Sequence, residues 1–186
     1  MFCLNEKVVY PGHGVARINR LVKKQISDQE VTFYELTFLS KEVTVLVPTN
    51  NIELIGLRAL SALNEIQDAF DSLKLSIKKS AKCELSATNW NKRNKEYQIK
   101  LRSGSLLDLL EIYKDLRYLS SYKELSFGEK NLLQQTETLL IEEISLVEST
   151  SYEKTVERLR SLCLVHSKQD NIANITDFDN IEETLV

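Results

Sequence analysis

The spacing of apolar residues along the chain changes once, near Gly56. Before that point they fall in short runs: Val8-Val9-Tyr10, Val15-Ala16-Arg17-Ile18, Leu21-Val22, Val31–Leu39, Val43–Val47 and Ile52–Ile55. The runs are rich in β-branched and aromatic residues, and the longest alternates apolar with polar, so they predict strands. Pro11-Gly12-His13-Gly14 follows the first run, with Pro in the second and Gly in the third place of a type II turn. Pro48 closes the Val43–Val47 strand and Gly56 the last one. Residues 1–56 thus predict a small curled antiparallel sheet or partial barrel.

After Gly56 the period becomes helical. Leu57, Leu60, Leu63, Ile66 and Phe70 recur at three- and four-residue steps and predict an amphipathic helix to about Leu75. A basic linker, Lys78-Lys79-Ser80-Ala81-Lys82, follows. Ser86 or Thr88 can then cap a helix that carries Trp90 in its first turn and runs to about Arg102. Ser103-Gly104 breaks it, and Ser105 with Asp108 opens the next helix, striped by Leu106, Leu109, Leu110, Ile112, Leu116 and Leu119. Ser126 and Glu129 form a capping box for a long helix to about Val147, and Thr150 with Glu153 repeats the device for a last one ending near Leu164. The expectation is an α+β chain: a β domain over 1–56, a helical domain over 57–164, and an acidic, disordered tail over 165–186.

Composition narrows the function. The 186 residues are 42% hydrophobic and 27% charged, an ordinary balance for a water-soluble protein. No apolar run reaches the roughly 18 residues a membrane span needs, and the start of the chain lacks the pattern of a signal peptide, so a cytoplasmic protein without membrane contact is expected. Cys3, Cys83 and Cys163 are odd in number and far apart, which argues against a disulfide framework or a zinc site. His13 and His166 are remote from one another, and no nucleophile elbow, zinc helix or phosphate loop is present. The adjacent acids Glu142 and Glu143 point different ways on a helix and are expected to be solvated surface. No catalytic residue, metal site or cofactor is expected, and the chain is not expected to be an enzyme.

Charge is uneven. The formal net charge is −3, yet the stretch from Lys74 to Arg102 carries +7 and the stretch from Ser167 to Val186 carries −4. Within the basic stretch, Trp90 is the only tryptophan of the chain and is followed by Lys92, Arg93, Lys95, Lys100 and Arg102, with Glu96 the one acid among them. Cations concentrated on one element of an acidic protein are the electrostatic footprint of a polyanion partner. A flat aromatic beside them suits insertion or stacking at a distorted duplex or an exposed base. Taken alone, the same residues also fit a core anchor beside a solvated cationic face.

Several segments, in order, resemble the bacterial CarD/CdnL transcription regulators. Val8-Val9-Tyr10-Pro11-Gly12-His13-Gly14 is similar to that family's opening. Val43-Thr44-Val45-Leu46-Val47-Pro48 and Ile55-Gly56-Leu57-Arg58 resemble its later strands and domain exit. Asn89-Trp90-Asn91-Lys92-Arg93-Asn94-Lys95 is similar to its Asn-Trp and basic run, Leu101-Arg102-Ser103-Gly104 to its next helix break, and Leu125-Ser126-Phe127-Gly128-Glu129-Lys130 to its Leu-Ser-x-Gly-Glu-Lys signature. The resemblance spans roughly residues 1–163.

It implies a Tudor-like N-terminal domain docking on the β subunit of bacterial RNA polymerase. It also implies a helical domain touching promoter DNA at the upstream edge of the transcription bubble, in a monomer. Trp90 is then the wedge in the minor groove, with Lys92, Arg93 and Lys95 as backbone or groove contacts. Lys100 and Arg102 join them on charge alone. Nothing resembles a major-groove reading helix, so low sequence specificity is expected. On the polymerase side, the candidates are the strand Val43, Thr44, Val45, Leu46 and Val47 as a pairing edge, and Lys24, which stands where relatives often place a basic contact. Leu46 departs from the Arg that many relatives carry. The strand can equally be an interior one, and Tyr34 can belong to the interface or to the barrel core. The alternative function is a polymerase-binding adaptor that makes no direct DNA contact.

Overall fold

A computed structural model describes residues 2–75 and 90–161. The basic linker 78–82, the capping candidates Ser86 and Thr88, Cys83, Cys163, His166 and the acidic tail lie outside the described residues.

The first unit is a five-stranded antiparallel sheet of order β4-β3-β2-β1-β5. Its strands are β1 (Lys7–Tyr10), β2 (Gly14–Ile26), β3 (Gln29–Phe38), β4 (Thr44–Pro48) and β5 (Arg58–Ala59). The turn after β1 is the type II turn its sequence predicts: the His13 N–H donates to Tyr10 O at 3.0 Å, and Gly12 takes φ 72°. The two runs beginning at Val15 and Leu21 are one strand, β2, interrupted by a bulge where the register slips between Ile18 and Arg20. β2 and β3 form a long hairpin whose tip, Ser27 and Asp28, takes φ 48° and 64°, the mirror-image turn that matches strand twist.

Two expectations fail at the exit of this unit. Ile52–Ile55 is not a strand but a single helical turn, α1, closed by Gly56 in the left-handed region (φ 76°), whose N–H caps the Ile52 and Glu53 carbonyls. Nor does a helix start at Leu57. Leu57 is buried in the sheet's core, and Arg58 and Ala59 pair with Val9 and Val8, so the chain returns to the sheet before α2 (Leu63–Leu75) begins. Four-residue runs do not distinguish a strand from one turn of helix, and here the glycine cap decides.

The second unit packs α2, α3 (Trp90–Ser103), α4 (Leu106–Tyr122), α5 (Phe127–Glu148) and α6 (152–161) around one core. The stripe predicted for α4 is buried throughout: Leu106, Leu109, Leu110, Ile112, Leu116 and Leu119. Ser105 caps α4 from the Asp108 N–H, and Ser126 with Glu129 makes the predicted capping box of α5. At α6 the hydroxyl that takes a first-turn N–H is Ser151, from Lys154, rather than Thr150, which instead meets Thr155 Oγ1 at 3.0 Å.

Helix α5 joins the two units. Arg58 grips Glu143 with both terminal nitrogens (2.6 and 2.7 Å), and the same carboxylate accepts from the Ser61 N–H and hydroxyl. Glu142 accepts from the Val15 N–H at 3.2 Å, and Gln135 donates to Gly12 O at 3.1 Å. The expectation that Glu142 and Glu143 are solvated surface is therefore corrected: Glu143 is only 1% exposed, and both acids receive donors from the β unit. A carboxylate survives such burial because every donor around it is aimed at its charge.

Candidate nucleic-acid and partner interfaces

Helix α3 has two faces, and the basic run is divided between them. Trp90, Arg93, Tyr97 and Leu101 recur at three- and four-residue steps, so they share one side. Arg93, Tyr97 and Leu101 are buried there, and Trp90 is half-buried against the same core. The opposite side carries Lys92, Lys95, Ile99 and Arg102, all exposed. Lys92, Lys95 and Arg102 form a single cationic stripe along about three helical turns, without an ion pair among the described residues.

Arg93 leaves the set of surface contacts. It is 5% exposed, and its Nη2 donates to Glu129 Oε1 at 2.7 Å. Glu129 also accepts from Lys123 Nζ (3.1 Å) and from the Ser126 N–H and hydroxyl (2.9 Å each). Burial works against its negative charge, but the Ser126 hydrogen bonds and Lys123 outweigh that and hold its pKa below the ordinary value. A cation spent on this interior carboxylate is not available to a phosphate. Lys100 is also engaged, donating to Glu111 at 2.7 Å. Its partial burial disfavours the ammonium, yet Glu111 prevails and keeps its pKa raised.

Trp90 begins α3 and leans on the start of α5. A Cβ added at Gly128 would come within 3.1 Å of the indole Cζ2, so the absence of a side chain there is what lets the ring lie against the α5 backbone. The corner of the bundle where these two helices begin also holds Phe127, 80% exposed. In the sequence, the Leu125–Lys130 stretch stands out for its capping box and not for that ring.

In the sheet, β4 is an edge strand, pairing among the described residues only with β3. Its residues alternate: Val45 and Val47 face the core, while Thr44 and Leu46 are exposed, next to Val43 just before the strand. Val47 is buried, and Val45 is half-buried against the core, so they present backbone rather than side chains to any partner. Tyr34, open between core and interface on sequence, is 1% exposed and belongs to the core, its hydroxyl donating to Phe2 O at 3.3 Å. Lys24 is exposed on the protruding part of the β2–β3 hairpin, opposite Val31. Among the described residues there is no group of three or more His, Cys, Asp and Glu able to hold a metal ion, and no helix long and apolar enough to cross a membrane.

Fold and surfaces define a two-part protein, an antiparallel sheet with an open edge joined through α5 to a helical unit with a cationic face. Comparison with known proteins assigns both parts. The family profile described as CarD-like/TRCF RID domain matches residues 2–61, and the profile described as CarD, C-terminal domain matches residues 75–160. The chain belongs to the CarD-like family, with a Tudor-like N-terminal module and an all-helical second domain. It is 24% identical over 150 residues to the putative transcription factor YdeB of Bacillus subtilis (strain 168), covering 79% of this chain and 92% of that one. It is also similar, at 29% identity, to the solution structure of the 72-residue N-terminal domain of Myxococcus xanthus CarD, covering 32% of this chain and 79% of that one with a TM-score of 0.28.

Proposed function

We propose that this protein is a transcription regulator that docks on the β subunit of RNA polymerase and stabilises the open promoter complex at the upstream edge of the bubble. Membership of the CarD-like family supports transcription regulation through RNA polymerase. The docking edge is β4, whose backbone can add a partner strand, with Val43, Thr44 and Leu46 as the side chains available, and Lys24 is a further candidate contact on the β2–β3 hairpin. An apolar Leu46 makes this contact depend on burial more than on a charge pair.

The observation that carries the DNA side is the α3 stripe. Lys92, Lys95 and Arg102 are exposed and make no ion pair among the described residues, in a chain of net negative charge, and Trp90 stands at the end of the helix they line. Cations along a backbone and an aromatic at the fork oppose reannealing without reading sequence. Three cations give weak contact alone, and tethering to polymerase raises the effective concentration enough to make it suffice. The contact should fall steeply with salt.

The deciding experiment measures open-complex lifetime on a ribosomal RNA promoter with cognate polymerase, comparing no factor, wild type and Trp90→Ala, beside capture of the β subunit. Prolongation by wild type, lost in Trp90→Ala that still captures β, supports the wedge. One observation favours the second reading, an adaptor without DNA contact: Trp90 packs half-buried on the inner side of α3, away from the cations. A Trp90→Ala protein that behaves like wild type would establish that reading.

A further inference from the structure

Phe127 is a large apolar side chain at the first position of α5, and it is 80% exposed. Nothing local demands it. The capping box uses Ser126 and Glu129, and a hydrophobic staple would use positions 125 and 130, which hold Leu125 and Lys130. The next residue, Gly128, lies against the Trp90 indole, so Phe127 projects from the corner on which Trp90 rests. Trp90 has one side occupied by that backbone and the core, whereas Phe127 is the aromatic that stands clear of the protein.

The surroundings of this corner are cationic. Lys92 and Arg93 lie in the first turn of α3, and Lys123 and Lys130 flank the start of α5, against the carboxylates of Glu124 and Glu129. Arg93 and Lys123 are held by Glu129 and Lys130 by Glu124, so the four cations and two acids leave a net charge of +2, with Lys92 the one exposed and without an ion pair among the described residues. Helix α5 also begins here, and a helix beginning adds partial positive charge. Exposed aromatic surface within this residual positive potential suits a nucleic-acid base with its phosphate more than an apolar protein surface, which would offer nothing to Lys92 or to the net positive charge of the corner.

We infer that Phe127 is a second aromatic contact for unpaired or unstacking bases of promoter DNA, placed beside Trp90 so that the two rings engage neighbouring positions at the upstream fork. This rests on the DNA-contacting reading of the helical unit. It assigns the protruding apolar tip to Phe127 and leaves Trp90 half-anchored as its platform.

The test uses the full-length chain with cognate polymerase and a promoter carrying 2-aminopurine at the upstream edge of the bubble. Phe127→Ala, Phe127→Glu, Phe127→Trp and Trp90→Ala are compared for open-complex lifetime, 2-aminopurine emission, capture of polymerase and thermal midpoint. Phe127→Glu places an acid at a helix start, which favours the helix while repelling phosphate, so folding and DNA contact should separate in it. The expected result is that Phe127→Ala and Phe127→Glu keep the wild-type midpoint and polymerase capture. Both should shorten the factor-dependent lifetime by about fivefold or more, the lower end of losing one base–aromatic stack, and Phe127→Trp should retain it. A wild-type lifetime in Phe127→Ala with a shortened one in Trp90→Ala overturns this inference and leaves the proposed function standing. Wild-type lifetimes in both overturn the DNA reading itself. Reduced polymerase capture by Phe127→Ala would assign the ring to a protein interface and overturn the inference equally.

Discussion

Arg93 and Glu129 meet at 2.7 Å in the interior of the helical unit, tying the first turn of α3 to the first turn of α5. The pair links the two stretches most characteristic of the chain, the basic run after Trp90 and the capping box at Ser126. Removing the arginine would leave a buried carboxylate with Lys123 and Ser126 as its remaining partners. Arg93→Ala is therefore expected to lower stability by about 1–3 kcal/mol, below the usual cost of breaking a buried pair because those partners stay. Urea denaturation checks this. An unchanged midpoint combined with loss of DNA-linked activity would mean that Arg93 turns outward to DNA after all.

Trp90 is the only tryptophan, so its fluorescence reports one environment. The Gly128 backbone lies close enough that a methyl group there would press the indole at 3.1 Å. Gly128→Ala should displace the ring towards water and red-shift its emission, while the gain in helix propensity, at most about 1 kcal/mol, keeps the fold intact. Emission indistinguishable from wild type would show that Trp90 does not rest on this residue.

The grip of Arg58 on Glu143 makes a different prediction, because it joins the two units. Arg58 is partly exposed while Glu143 is buried, so Arg58→Ala strands an acid at the junction and should cost about 2–4 kcal/mol. Replacing both partners, Arg58→Met with Glu143→Leu, should recover part of that loss, since an apolar pair leaves no charge behind. If the double variant is less stable than Arg58→Ala alone, the junction depends on the acid for another reason.

The exposed stripe is tested by salt. A cation that touches one phosphate displaces about one counterion, so deleting it makes affinity fall less steeply as salt rises. Lys92→Ala, Lys95→Ala and Arg102→Ala should each flatten the salt dependence of the affinity that promoter DNA adds to polymerase binding. Lys100→Ala should do less, because its ammonium is already held by Glu111. Equal slopes for all four variants would remove α3 from the DNA interface.

Much of this arrangement was legible in the chain. Period, turn residues and caps locate β1 to β4, α4 and α5, because Pro11-Gly12, Ser105 and Ser126 act on the backbone within a few residues. What depends on partners distant in sequence was not legible. Arg93 reads like Lys92 and Lys95 until Glu129, 36 residues later, takes it inward. Glu142 and Glu143 look like any exposed acid pair until the turn at Gly14 and the strand at Arg58 close on them. A signal existed for one of these: Arg93 falls in helical step with Trp90, Tyr97 and Leu101, which puts it on their apolar side. For Phe127 no pattern helps, since only exposure in the folded chain distinguishes it from a core aromatic.

Asp115 on α4 gives a pH dependence opposite to that of most carboxylates. Burial raises its pKa from the ordinary 3.8 to about 6, against Lys100, Lys114 and the nearby Tyr97 hydroxyl, which lower it, while Glu111 adds to the rise. Between these values the folded protein binds a proton that the unfolded chain has released. The associated stability is thus fully present below about pH 4 and is lost as pH rises through about 6. An isolated shift of this size is worth about 3 kcal/mol at most, and partial exposure brings it nearer 1–2 kcal/mol. Asp115→Asn mimics the protonated acid and should match wild type near pH 4, then exceed its stability by that amount above pH 7. The difference between the two denaturation curves therefore reports Asp115 together with its coupling to the neighbouring charges. A difference that stays flat from pH 4 to pH 8 would show that Asp115 ionises without cost to the fold.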